Sequence, residues 1–333
     1  MNSARLLIDT LRFHGGPPPE RLAAAWAEAE GTGLERLVAF EGCSLWLYRR
    51  LRQLRVLERV DPGLARPVSA TAREETARNL LIEAEARTLA VTFEGIGAPA
   101  MFLKGVARRL SVERYPLADA RVTNDVDVLV PLDRAREVWH HLRRSGYERT
   151  SPTKPPRPQH HHLPALWSAR RVGVELHTSY ARGIAPVVAW QRLYEAGIDV
   201  ERSGMRFRVP SATELFWSAT AHSLLIPDLA FLLVFLFDAA VVWASGVPLD
   251  WPEIAHRLAD KEIVDATAAG AWLGAAATLA GVEPPPALSG YVMPYDLERA
   301  LELRLAVLRR METPGGLRTA LAWWTSERAR TRS

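Results

Sequence analysis

Two carboxylates separated by a single residue stand in an apolar run, Asn124-Asp125-Val126-Asp127-Val128-Leu129-Val130. Val126, Val128, Leu129 and Val130 favour a strand. Residues two apart on a strand face the same way, so Asp125 and Asp127 share a face. Like charges side by side repel unless something neutralises them. A hard divalent cation does this: Mg²⁺ takes oxygen ligands, commonly one or two carboxylates plus substrate phosphates. The alternative for an isolated acid pair of this spacing is the polar end of a strand facing water.

The flanking sequence favours the first reading. Upstream, Ala98 to Leu103 reads as a short buried strand, Lys104-Gly105 as a turn, and Val106 to Arg114 has helical spacing. Glycine lets backbone approach a phosphate closely, and a helix N-terminus offers free N–H groups. Lys104 adds a cation there, and it is one of only three lysines, with Lys154 and Lys261. Downstream, Arg170 to His177 alternates like a strand, with Glu175 and His177 on one face. If that strand lies beside the first, Glu175 completes a set of three acids; otherwise it is a half-exposed strand residue.

The ordered set Leu103-Lys104-Gly105, Tyr115-Pro116, Arg121, Asp125-x-Asp127, Gly146-Tyr147, His161-His162-Leu163-Pro164 and Val174-Glu175-Leu176-His177 resembles the uncharacterised nucleotidyltransferase family of the DNA polymerase β superfold. The close resemblance spans roughly 97–180, with weaker similarity at Phe237-Asp238 and Asp250-Trp251. It implies an α+β fold, a small mixed sheet with helices flanked by N- and C-terminal helical regions. It also implies Asp125 and Asp127 as metal ligands, Glu175 as the third acid, Mg²⁺ or Mn²⁺ as cofactor and a nucleoside triphosphate as donor. Better-known members of the superfold carry Gly-Ser where Lys104-Gly105 stands. A triphosphate grip here is therefore expected from backbone N–H groups and cations: Lys104, the Gly105 turn and Arg121. His162 is, by the same resemblance, the loop histidine expected to donate to phosphate or nucleobase. His177 orients Glu175 or touches substrate, or is a packed, hydrogen-bonded strand histidine.

The expected reaction is transfer of a nucleoside monophosphate, AMP first, to a hydroxyl of a small-molecule, peptide or protein acceptor that the sequence does not identify. Two other classes remain open. One is a catalytically degenerate module that binds nucleotide or a partner through the same fold. The other is an RNA-directed or toxin-type transferase. The net charge of +4 suits an anionic substrate. The arginines are scattered rather than clustered, so nucleic acid is not the expected partner.

The rest of the chain must position these residues. The 333 residues contain 48% hydrophobic and 24% charged side chains, ordinary values for a globular protein. One cysteine, Cys43, is expected in the core; it permits no disulfide within the chain, which fits a reducing, cytoplasmic setting. No signal-peptide pattern follows Met1. Residues 1–92 read as an N-terminal helical region, with helices at Glu20 to Ala29, Leu34 to Leu54 and Ser69 to Phe93. Residues 93–182 read as the α/β core, with a second helix at Leu132 to Ser145 and a proline-rich loop at Ser151 to Pro164. Residues 183–333 read as mainly helical, with a strand at Met205 to Val209 and a tail from Thr313 rich in arginine. The apolar stretch Leu224 to Val247 reads as a buried helix, because Pro227, Asp228 and Asp238 interrupt a membrane span. Asp238 then needs a partner, either an arginine or the active site. Three successive histidines, His160-His161-His162, do not easily surround one metal, so zinc is not expected.

Overall fold

A computed structural model describes residues 1–29, 33–149, 161–180, 184–225, 230–260 and 266–310. Among the described residues, five α-helices precede the first strand: α1 (Ser3–Leu11), α2 (Pro19–Glu28), α3 (Leu34–Phe40), α4 (Ser44–Gln53) and α5 (Pro62–Gly95). Residues 34–54, expected as one helix, are two. Gly42 breaks them with φ 64°, and a side chain at that position would meet Val234. The long α5 starts at Pro62 rather than near Ser69. Asp61 accepts a hydrogen bond from Gly63 N as N-cap, and Pro62 fills the first helical position, so Asp61-Pro62-Gly63 is the start of the helix.

Next come β1 (Met101–Phe102), α6 (Lys104–Leu110), β2 (Asp125–Leu129), α7 (Leu132–Arg144), β3 (Glu148–Arg149), β4 (Leu166–Trp167) and β5 (Gly173–His177). The strand expected from 98 is only two residues long, and α6 begins at Lys104 and ends at Leu110 rather than running from Val106 to Arg114. The five strands form one sheet in the order β1-β2-β5-β4-β3. Only β2 and β5 are parallel; β1 runs antiparallel to β2, and β4 antiparallel to β5. Parallel strands are covered on both faces and so read as apolar runs. Val126, Val128, Leu129, Val174 and Leu176 are all buried here. The fold is therefore α+β, a small mixed sheet among helices.

Beyond the sheet lie α8 (Pro186–Trp190), a hairpin of β6 (Ile198–Arg202) and β7 (Met205–Val209), and helices α9 (Ala212–Leu224), α10 (Leu233–Trp243), α11 (Trp251–Ala259), α12 (Ala266–Ala280) and α13 (Leu297–Arg310). The hairpin turns at Ser203-Gly204, both with positive φ, the geometry that suits strand twist. The expected single helix over 224–247 does not form. The apolar run is divided between the end of α9 and α10, because α10 begins only at Leu233. Among the described residues, no helix is long and apolar enough to cross a membrane. His160, the loop 151–160 and the tail from Thr313 lie outside the described residues.

Glu41 ties this second half to the first. Its carboxylate accepts from Leu233 N at 2.8 Å and from Arg304 Nη1 at 2.8 Å, and its carbonyl accepts from Val234 N at 3.0 Å. One buried acid therefore caps α10 and anchors α13. Removing one partner of a buried pair leaves an uncompensated charge and costs about 3–5 kcal/mol. Glu41→Ala is expected to lose that much in urea unfolding, and Glu41→Gln, which keeps an oxygen for Leu233 N, to lose less.

Candidate functional site

The register of β2 against β5 builds the site. Asp127 pairs with Glu175 and Asp125 with Gly173, so the acids of both strands reach the same side. His177 closes the set: its Nε2 lies 2.6 Å from Asp127 Oδ1 and 3.5 Å from Glu175 Oε2. Lys104 Nζ donates to the same Asp127 Oδ1 at 2.6 Å. Asp127 is 2% exposed, so its charge is almost fully withdrawn from water.

Local structure forces Lys104 onto that acid. Leu103 N donates to the Asp127 carbonyl at 2.9 Å, which places the next residue over β2. Lys104 itself has φ 52°, a left-handed backbone that costs a non-glycine residue on the order of 1 kcal/mol. Gly105 follows because nothing larger fits. A Cβ there would stand 2.7 Å from Thr123 Oγ1.

The segment before β2 is held by α5. Asn79, fully buried, donates to the Arg121 carbonyl at 3.0 Å and accepts from Thr123 N at 3.2 Å. Arg78 donates to the Asn124 carbonyl at 2.9 Å. One helix turn thus bonds the backbone of three residues, Arg121, Thr123 and Asn124, just ahead of Asp125. Arg121 does not project freely. Its Nε and Nη2 donate to the two oxygens of Asp238 at 2.9 and 3.1 Å. Arg108 joins from α6, with Nη2 2.8 Å from Asp238 Oδ1. Two guanidiniums around one carboxylate leave a net positive charge.

The acids and the guanidiniums border one cavity of about 270 Å³. Asp125, Asp127, Glu175, Lys104 and Gly105 line it, with Arg108, Arg121, Thr123, Asn124 and Asp238, and with Ser218, Ala219 and His222 of α9. Asp238 thus pairs with two arginines and faces the cavity. His177 lies behind Asp127 and Glu175. His162 forms a β-bridge with His177, their rings 5.3 Å apart, and is not among the cavity-lining residues. Arg108, Thr123, Ser218 and His222 are not singled out by sequence. Arg108 has one usable signal, its i+4 spacing from Lys104 on the same helix face.

Electrostatics mark the cavity as short of cations. Burial, then the Asp127 charge, pushes the Asp125 carboxyl up to about 6. Burial would raise Asp127 too, but the Lys104 ammonium and the His177 hydrogen bond outweigh it and hold it well below the usual range. The His177 hydrogen bond also lowers Glu175. Burial and Lys104 push His222 down to about 4, leaving it neutral at pH 7. The donors fit a divalent ion: Asp127, Glu175 and His177 offer ligand atoms within 4.8 Å of one another. Asp125 stands outside that trio but adds its charge to the same cavity. Carboxylate oxygens suit Mg²⁺ and Mn²⁺.

The sequence profile described as uncharacterised nucleotidyltransferase matches residues 6–278. The chain belongs to that family. The match takes in α1 to α5 and nearly all of α9 to α12 as well as the sheet, well beyond the 97–180 stretch that carries the motifs. No curated protein matches the chain. Family membership implies transfer of nucleotide groups and a nucleoside triphosphate substrate.

The raised Asp125 carboxyl sets a stability prediction. Between 3.8 and about 6 the unfolded chain loses this proton before the folded one, so stability falls as pH rises through that window. Asp125→Asn is expected to stabilise the metal-free protein above pH 6, by on the order of 2–3 kcal/mol, and to change its stability little near pH 4. Melts across pH with a chelator present check this.

Proposed function

We propose that the chain transfers the nucleoside monophosphate group of ATP to a hydroxyl of a small-molecule, peptide or protein acceptor. The observation that carries this reading is the single cavity bordered by three carboxylates and by the Arg108–Asp238–Arg121 cluster. Asp125, Asp127 and Glu175 are the proposed holders of Mg²⁺ or Mn²⁺. When bound, the ion neutralises charge on phosphate oxygens and orients them.

The chain's own groups supply the rest. Asp127 stays ionised between Lys104 and His177. His177, which is wholly buried, fixes the orientation of Asp127 and Glu175 from behind. Lys104, the Gly105 turn and Arg121 border the space proposed for the phosphates. The net charge of the arginine pair draws the β- and γ-phosphates toward that part of the cavity. Glu175, its side chain 25% exposed, is the proposed general base. It takes the hydroxyl proton as the acceptor oxygen bonds to the α-phosphorus. The bond to the bridging oxygen breaks in line, and pyrophosphate leaves with its electron pair. Much of the acceleration then comes from positioning and fixed charge. His162, expected to donate to phosphate or nucleobase, stands beside His177, their rings 5.3 Å apart, outside the cavity lining.

Thermal shift with ATP, GTP, CTP and UTP, each with and without Mg²⁺, tests the reading. Ligand at 100 times its dissociation constant stabilises by about 2.7 kcal/mol. A Mg²⁺-dependent shift with ATP is expected for the wild type and not for Asp127→Asn. Pyrophosphate release from ATP, lost in the same variant, separates transfer from a module that only binds nucleotide. Equal shifts in both proteins would place the nucleotide elsewhere.

A further inference from the structure

Asp127 is the acid on which this site centres. It pairs across the strands with Glu175, follows Asp125 on the same face, and is the most buried of the three. One of its oxygens is already taken. Oδ1 receives both Lys104 Nζ and His177 Nε2, each at 2.6 Å. Phosphoryl-transfer sites that hold two divalent ions place them about 3.5–4 Å apart as a clamp on both reacting oxygens. A carboxylate between two such ions gives one oxygen to each. Asp127 has only Oδ2 left to give.

We infer that the Lys104 ammonium takes the place of one of two cations on Asp127, so that the site binds a single divalent ion through Asp127 Oδ2 with Asp125 and Glu175. This rests on the function proposed above. The lysine is built into place. Its own backbone is left-handed, the residue before it is bonded to Asp127 through the backbone, and the residue after it is pressed against Thr123. A surface lysine that merely drifted onto an acid needs none of these. Charge gives the same count. Three carboxylates less one ammonium leave two negative charges, which one divalent ion neutralises. A second ion would meet a fixed positive charge and no acid left without a partner.

Titration with Mn²⁺, alone and with a non-hydrolysable ATP analogue, read by calorimetry and electron paramagnetic resonance, tests this. One Mn²⁺ per chain is expected for the wild type and for Lys104→Arg. Two are expected for Lys104→Met, with the broadened spectrum of coupled ions when the analogue is present. Two ions in the wild type would overturn the inference while leaving the proposed function standing. One ion in folded Lys104→Met, at wild-type affinity, would also overturn it. If Lys104→Met does not fold, the counts for the wild type and Lys104→Arg decide. No Mn²⁺ bound to the wild type under either condition would bring down the proposed function itself, and the inference with it.

Discussion

Three carboxylates are withdrawn from water on two neighbouring strands, and that cost shapes this molecule. Removing an ion from water costs several kcal/mol even after relaxation, and nearby like charges add to it. Asp127 is offset in place by Lys104 and His177, both on one oxygen. Asp125 is not, and its carboxyl rises to about 6 in consequence. The short β1, the left-handed Lys104 and the close approach of Gly105 to Thr123 follow from bringing compensation to one acid. The remaining negative charge is what the proposed function assigns to a ligand cation.

The sheet does not accomplish this alone. Asn79 of α5 bonds the backbone on both sides of Val122, as a peptide group would in a further strand. Asp238 of α10 holds Arg108 and Arg121 at the cavity, and α10 is itself capped by Glu41 from the end of α3. Ser218 and His222 of α9 complete the lining. The five-stranded sheet lies between Met101 and His177, and the site draws on helices from both sides of it. The family profile, which reaches from residue 6 to 278, fits that dependence.

What sequence reveals here depends on whether the signal is local. Alternation shows that Asp125 and Asp127 share a face, and that Glu175 and His177 share one. Whether the two strands are neighbours, and that Asp127 falls opposite Glu175, depends on pairing between residues some fifty positions apart. Arg121 is expected at the phosphates from the resemblance, and its guanidinium is held by an acid 117 residues on, a contact no local signal reports. Arg108 is one arginine among many, and only its spacing from Lys104 sets it apart. The divided helix over 34–54 depends on Gly42 meeting Val234, a contact that helical periodicity does not report. The start of α5 was legible as an aspartate cap before proline, but Asp-Pro-Gly equally signals a turn.

Under the proposed function, the distribution of charge makes cation and polyphosphate binding interdependent. The acid group is left short of positive charge, and the Arg108–Asp238–Arg121 cluster carries one too many for its carboxylate. A divalent ion alone would satisfy the acids and leave the phosphate side of the cavity more positive. A polyphosphate alone would satisfy the arginines and bring more negative charge to Asp125 and Glu175. Each ligand removes the repulsion that the other would meet, so each raises the affinity for the other by the same factor. Interactions inside a cavity of this kind are weakly screened, because much of its wall is withdrawn from water. Fixed side chains rather than a moving segment are enough to produce that coupling, since Asp127, Glu175, Arg108, Arg121 and Asp238 are each held by a hydrogen bond or an ion pair.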